Sequence, residues 1–244
     1  MIDVHFHCLP GIDDGPGDWD DAVSLCRAAA AEGTATIVAT PHVLREPWLN
    51  EDPRKRDELI VRLNALLGGT PAVLAGCEYY FSSDAVDLWE RGNGGPLTGL
   101  NRSSFLLVEF PGEIDFRSVE AAFHEFSILG VTPVIAHPER SAVFSLEPER
   151  LGRLTELGAR VQLTAGAITG DFGSRAGAAC RKFFDLGLVH LVASDAHSLK
   201  TRPPRLAAAR ESVRKKWGHE AEEGIFEANP LALIEGRPLP WLRA

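Results

Sequence analysis

The sequence predicts an α/β fold in which a parallel sheet curls into a barrel. Three observations carry this. Short apolar strands alternate with amphipathic helices about seven times along the chain, and such alternation implies a parallel sheet covered by helices. Residues suited to metal binding stand at or just past the C-terminal end of nearly every strand. Ligands spread over so many strands meet at one point only if the sheet closes round, and in barrels that end gathers the βα loops.

The elements follow in order. The first stretch reads MIDVHFHCLPGIDD. Ile2, Val4 and Phe6 alternate with Asp3, His5 and His7, which is the period of a strand. His5 and His7 therefore share a face, and two imidazoles so placed can reach one metal ion. The chain breaks at Pro10-Gly11, and Asp13 and Asp14 follow. Asp18 is a natural N-cap for a helix over 19–31, and Gly33 stops it. Residues 34–40 form a buried strand ending at Pro41-His42. An amphipathic helix over 53–67 ends at Gly68-Gly69. A strand over 72–80 carries Glu78. A short helix near 84–90 leads to a Gly/Pro-rich loop over 92–99, expected at the surface. A strand over 104–110 ends near Glu109, and a helix over 117–129 is stopped by Gly130. A strand over 132–137 ends in His137. A helix over 147–157, a strand over 160–164 and a helix over 173–186 come next. The strand over 189–194 leads into Asp195 and His197, and helices over 203–217 and 220–228 close the pattern. There is no long linker and no shift in composition, so residues 1–244 read as a single domain.

Composition narrows the function. The net charge is −9 and no basic patch stands out, which disfavours binding through nucleic-acid phosphates. Cys8, Cys26, Cys77 and Cys180 show no CxxC pairing, so free thiols in a reducing, cytoplasmic compartment are expected. No basic-then-apolar leader pattern is present, and no run reaches ~18 apolar residues, so no membrane span is expected.

The strand ends collect five histidines (His5, His7, His42, His137, His197) and four carboxylates (Asp14, Glu78, Glu109, Asp195). These donors are too many for one ion, and shared carboxylates can bridge two or three ions about 3.5–4 Å apart. Cys8 and Cys77 each neighbour a ligand, but strand alternation points them away. Nitrogen and oxygen donors suit Mn²⁺, Zn²⁺ or Fe²⁺. Taken singly, each acid can instead cap a helix, and each histidine can be a satisfied core residue. His124, His190 and His219 fit that structural reading. Arg140 and Arg202 lie on the same face, and guanidinium beside clustered cations suits a phosphoryl group. The alternative for Arg140 is a surface salt bridge to Glu139. Three divalent ions and four carboxylates leave about +2, the match for a phosphate dianion.

Read together, HFH, DDGP at 13–16, ATPH ending at His42, GCEYY around Glu78, VEF around Glu109, AHPER from Ala136, and SDAH followed by RPP resemble the PHP superfamily. Within it, the set is similar to the CpsB/CapC-type bacterial protein-tyrosine phosphatases, over the whole chain. The resemblance implies a distorted (β/α)7 barrel of the PHP type, with a trinuclear site at the C-terminal ends of the strands. Carried over, His5, His7, Glu78 and Asp195 would hold one ion. Glu78 would bridge to a second, completed by Glu109 and His137. Asp14, His42 and His197 would hold the third. Arg140 and Arg202 would bind phosphate. The resemblance also implies manganese as the metal, with Zn²⁺ or Fe²⁺ as alternatives. The implied partner is a membrane-linked tyrosine autokinase of capsule or exopolysaccharide biosynthesis. Phe6, Thr164 and Thr201 depart from the family pattern without removing a ligand.

The expected reaction is phosphomonoester hydrolysis by a hydroxide held on the metals, with Arg140 and Arg202 stabilising the equatorial oxygens. A cysteine mechanism requires Cys-x5-Arg. The residues six beyond the cysteines are Asp14, Glu32, Ser83 and Leu186. Trp19 and Trp48 lie near the expected rim. Packing is the first reading for both, and stacking on a phosphotyrosine ring is the second. Other functions weighed are a small-molecule phosphatase such as one for histidinol phosphate, a PHP nuclease, and a catalytically silent metal-binding regulatory module.

Overall fold

A computed structural model describes residues 1–92 and 95–242. Its strands are β1 (Ile2–Phe6), β2 (Thr36–Ala39), β3 (His42–Val43), β4 (Ala72–Ala75), β5 (Glu78–Tyr80), β6 (Phe105–Glu109), β7 (Thr132–Ala136), β8 (Arg160–Thr164) and β9 (Leu191–Ala193). The helices are α1 (Trp19–Ala31), α2 (Pro53–Leu67), α3 (Ala85–Glu90), α4 (Phe116–Ile128), α5 (Ala142–Ser145), α6 (Pro148–Glu156), α7 (Ala165–Thr169), α8 (Gly173–Asp185), α9 (Leu206–Trp217), α10 (His219–Glu223) and α11 (Asn229–Ile234). The α/β class expected from the sequence is present, and every strand pair is parallel.

The strands pair in the orders β1-β2-β4 and β3-β5-β6-β7-β8-β9. The strand expected over 72–80 is split into β4 and β5, and the one expected over 34–40 is followed by a further short strand, β3. The ladder of β2 and β4 stops at Ala39 and Ala75, and that of β3 and β5 resumes at His42 and Glu78. Pro41, which has no N–H to give, lies in the first gap. Gly76 lies in the second, where a Cβ would come 2.8 Å from Val38 Cγ1. Only glycine lets the chains approach so closely. At the other edge, Phe6 bridges Ala196 just past β9, and Asp195 N–H donates to His5 O at 3.0 Å.

The apolar side chains sort by face. Val4, Val38, Leu107, Val134 and Leu191 come from five strands and meet in one cluster, which Leu233 of α11 joins. Their neighbours Leu106, Val108, Ile135, Val161 and Val192 point the other way, against α4, α6, α8 and α9. Phe6, Ile37 and Val73 pack outward on α1 and α2. Strict alternation would put Val4 and Phe6 on one face. The register of β1 against β2 instead shifts between Asp3 and Phe6. This bulge turns Phe6 outward and leaves His5 and His7 turned the other way.

Local signals hold well. Asp18 caps α1 by accepting from Asp21 N–H at 2.9 Å, a contact of about 1 kcal/mol. The loop expected at the surface differs. Gly95 to Leu100 are buried, because the Arg56 guanidinium donates to Pro96 O (2.7 Å) and Thr98 Oγ1 (2.9 Å). Residues 93 and 94 of that loop lie outside the described residues. The expected last helix ends at Glu223 and continues as a π-turn over Gly224–Ala228. There the bare Cα of Gly224 admits the Trp241 ring. Among the described residues no helix is long and apolar enough to cross a membrane.

Candidate metal centre

The strands deliver their polar ends to one point. All the sequence-derived ligands fall into overlapping groups whose donor atoms lie within 4.8 Å of one another: His7, Asp14, His42 and His197; His5, His137 and Asp195; His5, His7 and Glu78; and His42, Glu78 and Glu109. All but Asp14 are buried. Cys8 and Cys77 face the apolar clusters, and all four cysteines are free.

The tautomers are set from behind. His5 Nδ1 donates to Gln162 Oε1 at 2.8 Å. That amide is itself fixed by Gln162 Nε2 donating to Leu163 O. His7 Nδ1 donates to Asp13 Oδ2 at 2.8 Å. His197 Nδ1 donates to Asp195 O at 3.0 Å. Each ring thus keeps its proton on Nδ1 and turns Nε2 inward, as a metal ligand must. Asp13 reaches His7 because the loop closes tightly at Gly15, where a Cβ would sit 2.8 Å from His7 O.

Inside this ring the atoms lack partners. His5 Nε2 and His7 Nε2 are 3.2 Å apart, and with both rings neutral and protonated on Nδ1 their lone pairs repel unless a proton or a metal ion lies between them. Glu78 approaches both, at 3.4 and 3.3 Å, and Asp195 Oδ1 at 3.3 and 3.6 Å. Glu78 Oε2, Glu109 Oε2, Asp195 Oδ1, His42 Nδ1 and His197 Nε2 are buried without a hydrogen-bond partner. Buried polar atoms are seldom left so. The residues therefore fit divalent cations: oxygen and imidazole donors, no sulfur, and a shortage of positive charge. The titration directions agree. Burial lowers the His5 pKa, but Glu78 and Asp195 overcome it and raise it to about 9. Burial beside Glu78 pushes Glu109 up to about 7. The surrounding imidazoles and Arg202 hold Asp195 well below the carboxylate range despite its burial.

Two of the candidate ligand positions are strained. His137 (φ 34°) and Asp195 (φ 54°) stand in the left-handed region at the ends of β7 and β9. Such backbone turns a side chain out of the strand's alternation, at about 1–2 kcal/mol for a non-glycine residue.

Both predicted arginines are at the centre. Arg140 Nη1 donates to Asp195 Oδ2 at 2.5 Å, and Arg202 Nη2 donates to the same oxygen. Arg140 is therefore not spent on a surface pair with Glu139. Trp19 packs under Arg62, whose guanidinium lies 4.2 Å from the ring centre. Sequence reasoning did not single out Gln162 or Arg45, and it named Asp13 only as an acid beside Asp14. Arg45 Nη1 lies 2.6 Å from His42 Nε2, and its Nε lies 3.3 Å from Glu109 Oε2. Its signal was its place three residues beyond His42.

Residues 1–235 match the family described as "Capsular polysaccharide synthesis, CpsB/CapC". The chain is 38% identical over 238 residues to the tyrosine-protein phosphatase YwqE of Bacillus subtilis (strain 168), covering 96% of this chain and 91% of that protein. It is 32% identical over 241 residues to the putative tyrosine-protein phosphatase CapC of Staphylococcus aureus, covering 97% and 92%. It superposes with a TM-score of 0.91 and 35% identity, over 100% of this chain and 99% of the other, on a structure from work on YwqE of B. subtilis and CpsB of Streptococcus pneumoniae, described as unique metal-dependent tyrosine phosphatases. An organophosphorus hydrolase from Deinococcus radiodurans superposes with a TM-score of 0.54 at 14% identity, over 96% and 91%. That likeness concerns the fold alone.

Proposed function

The chain belongs to the CpsB/CapC family of capsular polysaccharide synthesis, and we propose that it is a metal-dependent protein-tyrosine phosphatase. The observation that carries this is the ring of inward-facing imidazoles and unpartnered buried carboxylate oxygens, with two guanidinium groups on its edge. His5, His7, Glu78 and Asp195 would hold one cation. Glu78, Glu109 and His137 would hold a second, and Asp14, His42 and His197 a third. Mn²⁺ is our choice of metal, in keeping with the donor set. Bound there, divalent cations lower the pKa of water and neutralise phosphoryl charge.

The chain's own residues do the rest. Arg140 and Arg202 are positioned to take the phosphate oxygens, since both already hold a carboxylate oxygen at that edge. Two preorganised guanidiniums stabilise charge that grows on the equatorial oxygens. A tyrosine phenolate leaves with a pKa near 10, so the reaction needs no strong general acid. Asp13 and Gln162 hold His7 and His5 in the ligating tautomer.

We read the two sheets as one distorted (β/α)7 barrel in a single domain over 1–244. The bridge from Phe6 to Ala196, the broken strands β2/β3 and β4/β5, and the inward cluster from five strands support this. Residues 243 and 244 lie outside the described residues. The proposed substrate is a phosphotyrosine protein, a tyrosine autokinase of polysaccharide synthesis. A cytoplasmic location accords with the four free cysteines.

The test is phosphatase assay after chelation and Mn²⁺ readdition, with a phosphotyrosine peptide and with histidinol phosphate. Restored turnover of the peptide, falling about 10²–10³-fold in Arg202→Ala with bound metal retained, is expected. Turnover of histidinol phosphate alone would move the function to small-molecule metabolism. Activity on neither, with metal bound, would leave a silent metal-binding module.

A further inference from the structure

After β3 the chain makes a short hairpin against the metal centre. Leu44 N–H donates to Leu49 O at 2.9 Å, and Arg45 N–H to Trp48 O at 3.2 Å. Leu44 (φ 59°) and Asn50 (φ 46°) bracket it in the left-handed region. Such backbone persists only where its surroundings over-determine it. Here Asn50 Nδ2 donates both to Ile12 O (2.9 Å) and to His42 O (2.8 Å). The hairpin is thereby tied to the loop of Asp13 and Asp14 and to the strand of His42.

What the hairpin presents is specific. The Trp48 indole stacks on the His42 imidazole, with centroids 5.6 Å apart and planes 20° apart. The Arg45 guanidinium lies 5.9 Å from the Trp48 ring centre and 5.7 Å from that of Tyr80. Trp48, Tyr80 and Arg45 are all half-buried. Tyr80 directly follows the outward-facing Tyr79 on β5, so it lies on the same side of the strand as the ligand Glu78. Arg140, elsewhere on the centre's edge, has an aromatic neighbour of its own, Phe172, at 4.9 Å.

We propose that Arg45, Trp48 and Tyr80 form an aryl-phosphate subsite: the two rings receive the phenyl group of the substrate, and Arg45 is a third guanidinium for its phosphate. This rests on the phosphatase reading above. Arg45 now spends its donors on His42 Nε2 and faces Glu109. Both are atoms that divalent cations would take, and a guanidinium beside those cations is repelled. Its two aromatic neighbours keep it at the edge, free to meet an anion. Aromatic contact adds to ring burial in a way that an alkyl phosphate cannot use. The subsite therefore sets preference between leaving groups, while the metals and Arg140 and Arg202 handle the phosphoryl group common to all.

The test is calorimetric binding of phenylphosphonate and methylphosphonate to the Mn²⁺-loaded protein. Their C–P bonds are not cleaved, so affinity is read without turnover. The wild type is expected to bind phenylphosphonate about tenfold more tightly. Trp48→Ala should bring that ratio close to one, Trp48→Phe should keep most of it, and Tyr80→Leu should lower it about threefold. Arg45→Ala should weaken both ligands together. Bound Mn²⁺ is measured in each variant, and where Trp48→Ala binds less metal, Trp48→Phe and Tyr80→Leu decide. A ratio near one in the wild type, or a ratio that survives Trp48→Ala and Tyr80→Leu, overturns the proposal. Peptide turnover is followed on the same preparations. An aryl preference without turnover would sink the phosphatase reading alone, and turnover without the preference would sink the subsite alone.

Discussion

Two clusters of acids lie beyond opposite ends of β1, and they are built differently. Beyond Met1, Glu222 and Glu227 surround Arg210, which donates to both. His219 Nδ1 reaches Glu222 Oε2 at 2.8 Å, and the Met1 ammonium lies 4.0 Å from Glu227. Every acid there has a base. Beyond Phe6, Glu78, Glu109 and Asp195 keep oxygens that accept no hydrogen bond, among imidazoles whose Nε2 atoms face inward. Shielding a carboxylate from solvent is thus no sign of a site by itself, since Glu222, under its basic partners near the surface, is about as little exposed as Glu78. Several such oxygens converging on one point without hydrogen bonds are the sign, because a buried polar atom left unsatisfied costs about 1–3 kcal/mol unless something else binds it.

The sharpest way to break this contrast is to exchange the charges. Asp195→Asn should abolish stoichiometric metal binding and lower peptide turnover about 10³-fold or more. Arg210→Ala, in the paired cluster, should instead lower stability by about 1–2 kcal/mol, as for a half-exposed cation leaving a buried acid. Metal analysis beside denaturant titration separates the two. Equal loss of metal in both variants would erase the distinction.

A smaller effect is expected behind the ligands. Asp13→Asn keeps the shape but weakens the acceptor for His7 Nδ1–H. Metal affinity should fall about 10–100-fold with folding intact. Competition with a chelator measures it, and an unchanged affinity would leave Asp13 as a loop brace only.

The smallest effect is read at the far end of β9. His190 is buried beside Arg160, and burial first, then that charge, lowers its pKa to about 3. Its Nδ1 accepts from Val161 N–H at 3.1 Å. The folded value lies below the ordinary 6.5, so the neutral ring contributes fully above pH 6.5. That contribution is lost as pH falls toward 3, because unfolding then takes up a proton. Between pH 7.5 and 5.5 the stability gap between wild type and His190→Gln should narrow by about 1.4 kcal/mol. Denaturant titration at the two pH values checks it, and a constant gap would show that His190 titrates normally.

Much of the centre was legible because strand ends declare themselves: an apolar run followed by His42, Glu78, Glu109 or His137 needs no tertiary knowledge. What stayed hidden depends on partners distant in the chain. Gln162 sits in mid-strand and matters only because β8 brings it to His5. Asp13 and Asp14 are adjacent and alike, and only the turn at Gly15 decides which backs His7 and which faces inward. The bulge in β1 was hidden for the same reason. HFH reads as plain alternation, while register belongs to the pair of strands. The buried loop near Thr98 reads as surface because glycine and proline mark turns but not what Arg56 will hold.

The left-handed backbone at His137 and Asp195 bears on how such a chain is maintained. Selected for folding alone, both positions would drift to glycine, which adopts that conformation freely. Their side chains persist at a standing loss of thermal tolerance that the rest of the fold must make good. Natural sequences sit close to their stability threshold. Mutations that weaken the packing far from this centre therefore erode the margin on which these two residues depend.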